Sequence, residues 1–432
     1  MLVILIIAIT AIVMIDNREI VQPEYAVANF ACTQDPSEMP RLKIKSIQLP
    51  ASSKAEIVLN TVKGDVEILP RIINVYKFQP RTQSLSALQR AKAFAATLGF
   101  DPDTVVRKRN SSIYEWTNRD YGNTLTITAD TMNFVFKTDF SDLNKAFPYE
   151  KKLPSDEDAR ATARAFLKTI PEYDDSYDEN NTLIRYISIS PDGSFTEGKS
   201  RSDADLIRVD FYRKQAFMTI AIDSKDDKDA EKILRPYEKM FDIMHNTGSG
   251  NVFYTVTEET VNDPVKGQQR LYQFETRILP EDPNSPLVSV YVGPPDPRKR
   301  EARFNNVYGA EVTSWKIETP ACGTYELIPS IQVVSMLKEK GSLVSLIPKT
   351  NPDTINLPAA QSVETFSVQN IYLAYIETKE FTPFLQPIWV ATGEAVYTSG
   401  DKGSFMYYLP AINYDIISTP VETAPAAREA GN

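Results

Sequence analysis

The sequence predicts an α+β fold of tandem modules, each a helix packed on an antiparallel sheet, behind a single N-terminal transmembrane helix. Three observations carry this expectation. Met1 to Ile15 holds no charged side chain, and Asp16-Asn-Arg-Glu19 follows at once. Beyond it, runs with apolar residues every three or four positions are followed by runs of period two. That order, helix first and strands after, recurs along the chain. The expected organisation is an anchor over 1–16, a stalk and leading strands over 17–70, and helix–sheet modules over 71–148, 149–320 and 321–415. A disordered tail is expected over 416–432.

Fifteen helical residues reach about 22 Å, short of a hydrocarbon core of about 30 Å. A cleaved signal would want a basic leading region, and the A-x-A form at Ala26-Val27-Ala28 lies about ten residues too far downstream. A lipoprotein reading through Cys32 lacks small residues at Asn29-Phe30-Ala31. A buried strand or helix is the blandest alternative. The favoured expectation is an uncleaved anchor whose true start lies upstream, giving a single-pass cell-membrane protein with its bulk extracytoplasmic. Arg18 alone flanks the span, so basic flanks set no orientation.

Taken in order, Leu42–Leu49 and Glu56–Val62 alternate and read as strands. Ser84 is the expected cap of a helix with Leu85, Leu88, Ala91, Ala95 and Leu98 on its apolar face and Gly99 as its left-handed stop. Strands Ser112–Thr117, Thr124–Thr128 and Met132–Lys137 follow, with Gly122-Asn123 as a turn. Ser155-Asp-Glu-Asp158 has the form of a capping box opening a helix whose buried stripe is Ala159, Ala163, Phe166, Leu167 and Ile170, ended by Pro171. Strands are then expected at Leu183–Ser190, Asp205–Tyr212 and Phe217–Ile222. A helical insertion over Asp229–Met244 precedes further strands at Asn251–Val256, Arg270–Arg277 and Leu287–Val292. The third helix carries Ile331, Val334 and Leu337, capped by Ser330 or by a Thr324–Pro329 turn and stopped at Gly341. Strands close the pattern at Leu343–Ile347, Ile371–Ile376, Leu385–Ala391, Glu394–Thr398 and Phe405–Leu409.

The 432 residues, 42% hydrophobic, suffice for two or three cores. A net charge of -10 argues against nucleic acid, and the densest basic cluster, Arg298 to Arg300 with Arg303, reads as a solvated loop. Cys32 and Cys322 either form one long-range bridge in an extracytoplasmic domain or stand alone. His245 is the only histidine, and no G-x-S-x-G, H-E-x-x-H or phosphate-binding glycine loop appears. Histidine-dependent catalysis is therefore disfavoured, and His245 reads as an exposed loop residue.

The alanine-rich helices Ala91–Leu98 and Ala159–Leu167 carry a resemblance, together with Tyr372-Leu-Ala-Tyr375, Phe384-Leu-Gln-Pro-Ile-Trp-Val390, Gly393 and Tyr407–Ile412. In element order the chain resembles the PepSY-like ectodomains of bacterial envelope proteins, and most closely the YycH/YycI type of membrane-anchored kinase regulators. The resemblance runs over roughly residues 70–415, with the most specific part at the C-terminal end. It implies restraint or sensing through protein contacts, with Gly393 turning the chain before a closing strand. It carries no catalytic residues, and its pattern has no counterpart for the Asp229–Met244 insertion or for the region before residue 70.

Three groups of polar or aromatic residues are candidate sites, beside an open sheet edge. Asp174, Ser176, Asp178, Asn180 and Thr182 mimic the spacing of a calcium loop, but Glu179 replaces its glycine and Arg185 its last ligand, so a solvated acidic loop including Asp175 is expected. Asp203, Asp205 and Asp210 suggest paired carboxylates, yet Asp205 and Asp210 point to opposite faces of one strand, and surface positions are expected. Trp116, Trp315 and Trp389 suit either a carbohydrate or peptide groove or the core, and alternation favours the core. A sheet edge open to an added strand suits a binding role. The expectation is a non-catalytic binding or regulatory protein with no cofactor or metal, acting on an envelope protein or peptide partner. A carboxylate-dependent envelope enzyme and a structural cell-surface spacer are the alternatives.

Overall fold

The computed structural model describes residues 28–61, 72–80, 85–108, 112–141, 152–171, 173–174, 176–198, 200–223, 256–263, 267–296, 303–348 and 362–417. Over 178–181, 214–223, 256–263 and 267–277 it describes the backbone alone. The Met1–Ile15 segment, the expected Asp229–Met244 helix, His245 and the part of the expected tail beyond Ile417 lie outside the described residues. No helix among those described is long and apolar enough to cross a membrane.

The fold is α+β, mostly sheet with few helices. Its elements run β1 (Glu56–Leu59), β2 (Ile72–Lys77), α1 (Ala87–Thr97), β3 (Val106–Arg107), β4 (Ile113–Asn118), β5 (Asn123–Thr128) and β6 (Asn133–Thr138). Then come α2 (Asp156–Leu167), β7 (Tyr177–Ile189), β8 (Phe195–Glu197), β9 (Leu206–Asp223), β10 (Val256–Asp263), β11 (Gly267–Pro280), β12 (Val288–Val292) and β13 (Val307–Val312). The last third holds β14 (Gly323–Glu326), α3 (Ser330–Lys340), β15 (Ser342–Pro348), β16 (Val363–Glu377), β17 (Phe384–Tyr397), β18 (Lys402–Pro410) and α4 (Tyr414–Ile417).

One antiparallel sheet carries both α1 and α2. Its strand order is β3-β4-β5-β6-β13-β12-β9-β7-β8. The pairing that joins its halves is β6 with β13, Phe134 opposite Val312 and Lys137 opposite Gly309. Alternation then sorts the faces. Ile207, Val209 and Phe211 of β9 and Val288, Val290 and Val292 of β12 point to the helices, as do Phe134 and Phe136 of β6. Helix α2 meets them with Ala159, Ala163, Phe166 and Leu167, all fully buried. Burying Phe166 and Leu167 stabilises by about 1.5–3 kcal/mol each. Its start is as the sequence predicts: Ser155 Oγ accepts from Asp158 N at 3.0 Å and donates to the Asp158 carboxylate.

Helix α1 differs in its first turn. It begins at Ala87, after Ser86, and Ala87, Ala91, Phe94 and Ala95 are buried while Leu85 is fully exposed. The helix starts later than expected, so Leu85 falls outside it, while Ala91 and Ala95 of the expected stripe are buried and Phe94, edge-on to Phe134 at 4.9 Å, joins them on the docking face. Gly99 ends the helix at φ +81°, where a side chain would be strained.

The C-terminal sheet is ordered β15-β18-β17-β16, and both β1 and the last residues of β11 lie parallel along the outer side of β16. Helix α3 covers it with Val333 and Leu337, whereas Ile331 is 71% exposed. The expected Thr324–Pro329 turn is instead β14, paired with β2 across about 250 residues of chain. Leu42–Leu49 is extended but not a strand: it lies on the edge of β15 with a backbone bond from Ile47 N to Leu343 O, its leucines and isoleucines packed on the core. Two expected breaks are absent. Asp205–Tyr212 and Phe217–Ile222 are one strand, β9. Leu385–Ala391 and Glu394–Thr398 are likewise one strand, β17. Gly393 makes no turn; it sits inside β17 opposite the register shift at Val368/Asn370, where the Ser367 carbonyl occupies the space a Cβ would need.

Cys32 and Cys322 form a disulfide across 290 residues. The bridge and the bonds Phe30 N to Thr324 O and Gln386 Nε2 to Pro40 O fasten the 28–61 segment to the C-terminal sheet.

Candidate functional site

The two sheets meet along a cleft of about 400 Å³. One wall is the end of β6 and β13, with Val135, Glu311 and Thr313; the other is Lys45, Ile47, Val344 and Lys379 of the C-terminal sheet and its edge segment. Its floor is the 281–287 turn, where the Asp282 carboxylate caps Asn284 N at 2.9 Å and Glu281 Oε1 accepts from Lys379 N at 3.1 Å. The lining mixes apolar side chains with separated charges of both signs, and Lys45 and Lys379 are exposed. Such a cleft can hold an extended chain or a small polar–apolar ligand.

Behind that floor lies a buried charge cluster. Arg213 of β9 is completely enclosed. Its Nη2 lies 2.8 Å from Glu377 of β16, its Nη1 3.3 Å from Asp174, and it donates to Tyr177 Oη at 2.8 Å and to the Trp315 carbonyl at 2.7 Å. The guanidinium also lies over the Tyr177 ring. Burial pushes the Glu377 carboxyl up to about 7 although Arg213 opposes the shift, and Asp174 adds to it. The cluster ties the two sheets together at the point where β9 leaves the larger one.

On the helix-free face of the nine-stranded sheet, Asp210 is wholly buried, contrary to the surface position expected of it. Its carboxylate accepts from Arg185 Nε at 3.0 Å and from Arg208 Nε at 2.6 Å, and Arg185 also pairs with Glu197. Burial works against the charge on Arg208, but Asp210 outweighs it and the net shift is upward. Nearby, Phe195 leans on Phe140 and Tyr291 as the β7–β8 hairpin folds over this face, leaving a second cavity of about 280 Å³ that shares Glu311 with the cleft.

The sequence candidates fall apart as sites. Asp174 serves Arg213 and caps Ser176 N at 2.9 Å; 178 and 180 belong to strand β7, not to a loop, and Arg185 is committed to Asp210. Asp175 lies outside the described residues. No group of three or more potential metal ligands occurs among those described. Asp205 accepts from Ile189 N, and Asp203 from Ser200 Oγ, so neither converges with Asp210. Asp174 and Glu377 do converge, but both hold Arg213, and the adjacent space is about 20 Å³, room for about one water. The tryptophans pack: Trp116 and Trp389 are fully buried, and their indoles donate to the Pro102 and Ile328 carbonyls, as Trp315 does to Thr378.

Sequence reasoning missed the cleft residues because they come from six separate stretches of the chain. Glu377 left one faint signal, as the charge that ends the run Ile371–Ile376, whereas Arg213 lies among other charges, Arg208, Asp210 and Lys214. Among the described residues β10 pairs on one side only, with β11.

No family model matches the chain, and no curated protein matches it. A solved structure of an uncharacterized protein from Eubacterium rectale is similar at 10% identity, covering 85% of this chain and 92% of that one with a TM-score of 0.33.

Proposed function

We propose that this chain is a membrane-anchored, extracytoplasmic binding protein that holds an extended segment of another envelope protein or peptide in the cleft between its two sheets, without catalysis. The observation that carries this reading is the cleft itself: open, about 400 Å³, and lined by a mixture of apolar side chains and separated charges that would suit an amphipathic strand. The 290-residue disulfide supports an oxidising compartment, and the charge-free Met1–Ile15 segment supports the anchor. The finer architecture of tandem helix–sheet modules behind a transmembrane helix, and kinship with PepSY-like regulators, belong to the same proposal. The carboxylate-enzyme alternative finds no support in the placement of Asp203, Asp205 and Asp210.

Photo-crosslinkers placed in living cells at Lys45 and Lys379, both exposed in the cleft, are expected to give one discrete adduct. The same probe at Ile331, on the outer face of α3, is expected to give none. Equal labelling from all three positions, or none from any, would remove the cleft as the binding site. Protease shaving of intact cells tests topology: digestion from outside fits the proposal, and protection until lysis ends it.

A further inference from the structure

The geometry points to a proton-operated latch at the base of the cleft: Asp174, Arg213 and Glu377 join the two sheets as a neutral cluster when one carboxyl is protonated, and loosen the junction when both are ionised. The count of charges is the argument. Among the described residues one enclosed guanidinium faces two carboxylates, so full ionisation leaves one negative charge without a countercharge at a largely desolvated site. Of the two acids, Asp174 retains some solvent contact, with a side chain 22% exposed against 5% for Glu377, so the shared proton belongs on Glu377.

Among the described residues the groups facing Glu377 are few. From β9 comes Arg213, from the 173–174 turn Asp174, and from β7 the Tyr177 hydroxyl, which burial keeps protonated far above neutrality. From the segment after β13 come Ser314 and Trp315, both uncharged, with the Trp315 N–H donating to Glu377. The position of Glu377 on the pH scale, at about 7, puts the change within the range a cell envelope meets.

The cluster is wired to the cleft by backbone. Glu281 N donates to the Glu377 carbonyl at 3.0 Å, and Glu281 in turn accepts from Lys379 N. Thr313 and Lys379 line the cleft, while Ser314 and Glu377, one and two residues away, contact Arg213. Ionisation of Glu377 therefore strains the two bonds that hold the cleft floor. The inference rests on the cleft reading only for its consequence, which is pH-dependent retention of the bound segment.

The test is hydrogen exchange on the full chain without ligand, following the amides of Glu281 and Lys379 and correcting for the intrinsic effect of pH. Between about pH 6 and about pH 8 the corrected protection of these amides is expected to fall by about tenfold, and Glu377→Gln is expected to abolish the fall. Asp174→Asn supplies a second variant: with one acid neutralised, Glu377 and Arg213 balance, and the protected state is expected to persist at the higher pH. A corrected protection that does not change with pH in the parent chain, or a fall that survives either substitution, would overturn the latch. Because no ligand is present, a latch that responds while crosslinking fails would sink the cleft reading alone. Crosslinking without a pH response would sink only the latch.

Discussion

Removing the Cys32–Cys322 bridge is a perturbation whose size follows from the fold. The bridge closes 290 residues of chain, and the loop-closure relation assigns about 6 kcal/mol of lost unfolded-state entropy to a loop of that length. At about 2.1 cal/mol/K of unfolding entropy per residue, the 432-residue chain has about 0.9 kcal/mol/K in all, so the melting temperature should drop by about 6 °C. The native contacts that fasten the 28–61 segment survive reduction: Phe30 edge-on to Tyr325 at 5.4 Å, Asn29 Oδ1 to Thr324 N at 2.8 Å, and Gln386 to Pro40. The reduced protein should therefore remain folded at room temperature. Scanning calorimetry of the oxidised chain, the reduced chain and the Cys32→Ala/Cys322→Ala variant separates the entropic effect from lost packing, since the first two differ only in the bond. Coincident melting of oxidised and reduced protein would refute the reasoning, as would both cysteines reacting with an alkylating reagent before any reductant is added.

Gly393→Ala should destabilise by more than about 3 kcal/mol, because the new methyl meets the Ser367 carbonyl and the Gln369 N–H, both backbone, inside a paired strand; urea titration reads the loss, and a change under about 1 kcal/mol would show that the bulge relaxes. Asp210→Asn should cost about 3–5 kcal/mol by leaving the Arg185 and Arg208 guanidiniums, each 13% exposed, without their shared carboxylate, and a neutral result in the same titration would contradict that balance. Glu377 should make stability depend on pH. Its folded carboxyl stands at about 7 against an ordinary 4.5, so the folded state keeps a proton that the unfolded chain releases. The contribution is full below about 4.5 and is lost as pH rises through about 7, worth about 3 kcal/mol at most. Glu377→Gln should flatten that slope, and an unchanged difference between parent and variant across the window would remove Glu377 as its source.

The sequence by itself determined what short-range physics can encode. The capping box at Ser155 with its stripe of Ala159, Ala163, Phe166 and Leu167 appears as written, and so does the left-handed stop at Gly99. The alternating runs of β4, β5, β6 and β12 fall within one residue of their expected bounds, because period-two burial is a local pattern. The burial of Trp116 and Trp389 also follows from their place in such runs. Elements whose partners come from far along the chain are set by the assembled fold instead. β2 and β14 are short and lack a strong alternation of their own; they are strands because each satisfies the other's backbone groups. β13 is placed in the middle of the nine-stranded sheet by β6 on one side and β12 on the other. Gly393 reads as a turn in sequence and is a strand residue in space, since the need for glycine arises from the Ser367 carbonyl across the sheet. The same holds for chemistry: Asp174, Arg213 and Glu377 are ordinary charges in the sequence, and only burial beside one another makes one of them hold its proton near neutrality. Desolvation and long-range pairing are properties of the assembled core, and no window of the sequence contains them.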